Sequence, residues 1–191
     1  VNDPDSLAAR RTRVERFLRD RGADTIDHPG GTLLSHLGRV ADTLASWGHG
    51  ADLQLAGLAH AVYGTDGFDR WLVELPYRAT VVDLVGKDAE GLVYDYAACD
   101  RAAVYPRIDA TPVRFRDRFT GHEFEPAAAD FRAFLELTVA NELDVMAHNT
   151  DLANRHGAAL YDLFTRVRPH LTPAAWSACH AQLAHYPRPG S

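Results

Sequence analysis

The chain has 191 residues, 46% of them hydrophobic, and a formal net charge of −6 from 20 basic and 26 acidic side chains. That composition builds a core and excludes disorder as the overall state, while the acidic balance argues against a general nucleic-acid binder, whose phosphate contacts need a basic face. The two cysteines, Cys99 and Cys179, are far apart and exclude a disulfide scaffold or a structural cysteine zinc site.

In chain order the pattern is helical. Ser6 to Arg21 sets Leu7, Val14, Phe17 and Leu18 against many arginines and stops at Gly22, an amphipathic helix within an N-terminal segment 1–26. Asp27 to Gly31 reads as a loop. Thr32 is an N-cap for a helix that carries Leu33, Leu37, Val40, Leu44 and Trp47 on one stripe. Asp52 to Val62 is apolar on almost every side, so this helix belongs in the middle of the domain. Tyr63 to Gly67 is a turn.

Pro76 opens a further helix that runs to Gly86, and Ala89 to Cys99 continues the helical pattern. Between Val113 and Phe124 the period changes to two, which predicts one small β-hairpin. Pro126 then opens a long helix whose seam runs through Phe131, Phe134, Thr138, Asn141, Val145, His148 and Leu152. Ala158 to Val167 and Pro173 to Leu183 are two last helices, and residues 187–191, with Pro187 and Pro189, are a loose tail. The expectation is one mainly α domain over residues 1–191. No apolar run approaches the roughly 20 residues of a membrane span, and the arginine-rich start has no apolar signal segment, so a cytoplasmic protein without a membrane partner is expected.

The chemistry is expected where polar residues occupy positions that the pattern makes apolar. His60 ends the most buried helix, and an unpartnered polar group there costs about 1–3 kcal/mol. His36 edges the buried stripe of its own helix, and Asn141 and His148 interrupt the long seam beside Glu142 and Asp144. If the helices pack together, imidazoles and amide or carboxylate oxygens converge, as in a divalent metal site or an acid–base site. Plain structural roles fit the same residues: a hydrogen-bonded core histidine, an asparagine that fixes register, a solvated Asp144–His148 pair, a turn capped by His28. His49, His122, His156, His170, His180 and His185 stand beside loop or surface signals and read as unremarkable.

The segments Thr32-Leu-Leu-Ser-His36, Leu55-Ala-Gly-Leu-Ala-His60-Ala-Val-Tyr63 and Leu137-Thr-Val-Ala-Asn141-Glu142 resemble the metal-site segments of the HD-domain superfamily. The nearest pattern is the hydrolase domain of the stringent-response (p)ppGpp synthetase/hydrolases. There, a His, a His-Asp pair and a later helical Asp bind a metal that activates water against a phosphoester. His36 matches the first His and His60 the His of the pair, while Ala61 and Asn141 stand where the motif has Asp. Ala56-Gly-Leu-Ala-His60-Ala-Val-Tyr-Gly-Thr65, Ala98-Cys-Asp-Arg101 and Arg118-Phe-Thr-Gly are more similar still to an uncharacterised bacterial family with an A-G-L-x-H-x-x-Y-G-T signature. The resemblance implies an HD-like helical bundle.

Three functions compete. The first is a one-metal hydrolase acting on a small phosphorylated or anionic metabolite. His36, His60 and Asn141 would hold a single divalent ion (zinc, iron, manganese or nickel), and His60, Asp66, Asp100 and Glu142 would carry the catalysis. His28, Tyr63, Thr65, Arg101 and Asn141 would bind the substrate, Arg101 through a fork suited to an anion. The second is a metal-free binding protein that reads a small molecule in the same pocket by hydrogen bonds. The third is a metal-independent enzyme with His60 or His36 as general base beside Asp144 or Glu142.

Overall fold

Apolar side chains on every face leave the segment Ala51–Ala59 (α3) one stable place, the interior. In the computed structural model, which describes residues 6–186, every residue from Leu53 to Ala59 is buried. Around it pack α1 (Leu7–Asp20), α2 (Leu33–Ser46), α5 (Lys87–Ala98) and α7 (Ala128–His148), with α4 (Arg78–Val85) against α1 and α5. Arg101–Val104 (α6) is a single turn, and α8 (Thr150–Arg166) and α9 (Pro173–Leu183) form a pair laid on α7. The fold is mainly α. No helix among the described residues is long and apolar enough to cross a membrane.

The helix ends follow their capping residues. Ser6, Thr32, Asn149 and Thr172 each accept a backbone N–H three residues on, at the starts of α1, α2, α8 and α9. Gly57 lets α3 lie close on α2, for a Cβ there would stand 2.6 Å from Leu44 Cδ1. The seam of α7 is real at Phe131, Phe134, Thr138 and Asn141, which are buried and face the core.

Three details differ from the sequence expectation. The long helix does not continue through Leu152: Asn149 takes an extended backbone, ends α7 and caps α8 with its side chain, because Asn competes well for that position. Ala158–Val167 is therefore mostly the second half of α8, and His148 is exposed instead of part of the seam. The loop at residues 27–31 is a tight hairpin, in which Asp27–His28 (β1) pairs antiparallel with Gly31–Thr32 (β2). Pro29 and Gly30 are its central residues, and Gly30 has φ +80°, as a type II turn requires at that position. The expected hairpin at 113–124 is present but short, with Phe115–Arg116 (β3) paired to Glu123–Phe124 (β4). The expected tail, with Pro187 and Pro189, lies outside the described residues.

Candidate functional site: a cluster of oriented imidazoles

α2 carries His36 and, one turn later, Arg39, and both reach α7. His36 Nδ1 donates to Asp144 Oδ2 at 2.6 Å, and its Nε2 stands 3.0 Å from Asn141 Oδ1. The Asn141 amide nitrogen donates to Glu142 Oε1, which turns the amide oxygen toward His36. Both ring nitrogens of His36 thus face acceptors. Arg39 forks onto the same carboxylate, Nε to Oδ1 at 2.7 Å and Nη2 to Oδ2 at 2.9 Å, and also reaches the carbonyls of Pro29 and Gly30. Burial pushes the Asp144 carboxyl up, but the hydrogen bonds from His36 and Arg39 outweigh it and bring the group down to about 2. The carboxylate stays charged, and it fixes the His36 ring.

His60 follows the last turn of α3. Its Nδ1 donates to Gly57 O at 2.7 Å, so in the neutral ring Nε2 keeps the lone pair. Burial above all, then the neighbouring His36, lowers His60 to about 3. The ring stands edge-on to His36 at 5.3 Å and to Tyr96 at 5.2 Å. His28, delivered by β1, stacks on His36 at 4.1 Å, and its Nδ1 is buried with no hydrogen-bond partner among the described residues. Burial, then His36, lowers it to about 4.

The third wall comes from α6 and the turn after α3. Arg101 Nη1 meets Glu142 Oε1 at 3.2 Å, Nη2 donates to Tyr96 Oη, and the Arg101 backbone N–H donates to Asp66 Oδ2 at 2.8 Å. Together these side chains enclose a cavity of about 320 Å³ that Thr65 also lines. His28, His36, His60, Thr65, Asp66, Arg101, Asn141 and Glu142, all expected from the sequence, share this one pocket.

Two expected residues do not. Tyr63 donates to the buried Glu90, which Arg78 also grips, so it belongs to a structural network. Asp100 caps α6 through the Ala103 N–H and pairs with Arg116 at 3.7 Å. His49, read as unremarkable, holds the buried Glu136 at 2.7 Å, and Glu136 in turn accepts from Thr172 at the start of α9. Sequence reasoning missed Arg39 altogether, and left Asp144 open between a partner of the His36 or His60 base and a solvated pair with His148; it pairs with His36. The i, i+3 spacing of His36 and Arg39 carried the signal, but an arginine on a half-polar helix face reads as solvated.

The metal set that the resemblance implies does not fit these residues. Both nitrogens of His36 are taken up by Asp144 and Asn141, Ala61 offers no donor atom, and Asn141 adds no charge. Among the described residues no group of three or more His, Cys, Asp or Glu side chains is placed to hold a metal ion. The thiols of Cys99 and Cys179 are buried, and burial pushes both up to about 12, which removes them as nucleophiles.

A family model described as "Domain of unknown function (DUF6817)" matches residues 17–101. The stretch holds His28, His36, His60, Thr65, Asp66 and Arg101, and ends before α7 with Asn141, Glu142 and Asp144. No curated protein and no solved structure matches the chain.

Proposed function

We propose that this pocket is the active site of an enzyme that works by acid–base chemistry, without a metal, on a small polar metabolite. The observation that carries the reading is the Arg39–Asp144–His36 chain: a buried carboxylate, held by an arginine, fixes one nitrogen of an imidazole whose other nitrogen meets the Asn141 amide on the cavity wall. An anchored carboxylate fixes the orientation of a histidine, which suits His36 to proton transfer. His60 is kept neutral by burial with its tautomer set by Gly57, so its Nε2 offers the substrate a hydrogen-bond acceptor.

In this reading, substrate replaces Asn141 at His36 Nε2. His36 and the substrate exchange a proton, His60 Nε2 accepts a hydrogen bond that holds the substrate in place, and exchange with solvent restores the His36 ring. Arg101 positions the substrate, with Asp66 and Thr65 on the adjoining wall. Its charge is matched by Glu142, so the pocket favours a neutral or singly charged polar group over a phosphate. The meeting of the three HD-like segments in one pocket supports an HD-like scaffold. A one-metal hydrolase needs donors that this set lacks.

Depletion of single compounds from a metabolite extract, followed by mass spectrometry in excess chelator, tests the proposal. Wild type is expected to consume a compound with chelator present, and His36→Asn and His60→Ala, folded by circular dichroism, are expected to leave it untouched. Consumption that chelator abolishes supports the metal hydrolase instead. A compound bound but never converted makes the pocket a receptor.

A further inference from the structure

Beside the polar pocket lies a second, larger cavity of about 980 Å³, between α7 and α8 and closed at one end by the turn after α6. Its walls are mostly apolar, and Tyr105, Pro106, Met146, Leu152, Leu160 and Leu163 are among the residues that line it. Gly67, Arg101, Glu142, Val145 and Leu152 line both cavities. The two cavities therefore adjoin, and the Arg101–Glu142 pair stands where they meet. Ligand cavities usually measure about 300–1,000 Å³. The polar chamber alone is at the bottom of that range, large enough for a compact head group and little more.

We infer that the substrate is an amphiphile, with a compact polar head among His36, His60 and Asn141 and an apolar chain or ring that crosses the Arg101–Glu142 threshold into the α7–α8 groove. This rests on the polar pocket being the site, as proposed above. The five shared lining residues argue for one occupant of both chambers. A protein partner laid in the groove would leave the polar chamber unfilled, whereas one small molecule with unlike ends fills both.

The probes are straight-chain primary amides from ethanamide to octanamide, uncharged and able to donate and accept at the head, titrated by NMR. The expected result is binding that shifts the His60 and Asn141 signals at every length and tightens about fourfold for each methylene added. Ala159, exposed on the groove side of α8, is the place to block the chain. Ala159→Trp should flatten the dependence on length while ethanamide binds as before, and His60→Ala should weaken all lengths by one common factor. Head-group shifts with an affinity that stays flat from ethanamide to octanamide overturn the groove and leave the polar pocket standing. The same holds for an unchanged slope in Ala159→Trp. Octanamide bound in the groove without any shift at His60 or Asn141 overturns the single-site inference and counts against the polar pocket as well, as does the failure of every amide to bind. A dimer in sedimentation equilibrium that Ala159→Trp dissociates gives the groove to a second copy of the chain and overturns the inference.

Discussion

Asp144 is gripped by His36 and Arg39 at once, and the site depends on it more than on any single imidazole. Asp144→Asn keeps the shape but removes the charge, so Arg39 loses its ion pair and His36 its anchor. A loss of about 1–3 kcal/mol in urea unfolding is expected, together with loss of turnover in the depletion assay. Unchanged stability would mean that the pair is a solvated one after all. Gly30 tests the same network from outside. A Cβ there would lie 2.5 Å from the His148 ring and 2.8 Å from Arg39 Nη2, on a backbone at φ +80°. Gly30→Ala is therefore expected to dislodge Arg39 and lower activity although residue 30 touches no substrate. Activity equal to wild type would show that Arg39 does not position Asp144. His36, His60 and Asn141 were legible in the sequence because each is polar at an apolar position. Asp144 was legible only as one of several readings, and Arg39 was not, since a charged residue on a half-exposed helix face is the ordinary case.

At the scale of elements, the apolar α3 fixes most of the arrangement, and this was the clearest reading in the sequence. Its contact with α2 relies on Gly57. A valine there adds methyl groups against Leu44 Cδ1 and the Ala41 backbone, 3.4 Å from where a Cβ would stand. Gly57→Val should cost about 1–3 kcal/mol and blur the near-ultraviolet spectrum, as overpacked cores do. A neutral substitution would mean that α2 and α3 have room to slide, and with them His36 and His60. The junction of α7 and α8 was misread for a physical reason. Periodicity runs straight through Asn149, and only its competing side-chain hydrogen bond to Leu152 N breaks the helix. The tight β1–β2 hairpin escaped because two-residue strands have no period to detect, although Pro29-Gly30 is good turn chemistry.

For the whole molecule, the buried histidines set a pH dependence. His28 and His60 are lowered in the fold to about 4 and about 3, while in the unfolded chain they take up protons near 6.5. Below pH 6.5 the unfolded state binds more protons than the folded one, so the stability these rings contribute is whole above 6.5 and drains away as pH falls toward 4. Asp144 adds a separate loss only below 3.8, toward 2. Denaturation midpoints at pH 7, 6, 5 and 4 should therefore fall steadily, and His60→Gln should flatten the slope between 6 and 4. A midpoint level across that range would mean that the two rings titrate freely. The apolar groove beside the polar pocket was not legible in the sequence, because Met146, Leu152 and Leu160 repeat with the same period whether they face a core or a cavity. The most direct measurement is the nitrogen-15 NMR spectrum of the histidine rings, recorded from pH 8 to 4 and again with one equivalent of zinc. The expected result is His60 neutral with its proton on Nδ1 throughout, His36 coupled to Asp144, and neither ring moved by the metal. Zinc that shifts His36 and His60 together, one ion per chain, would contradict a metal-free acid–base site and restore the metal centre.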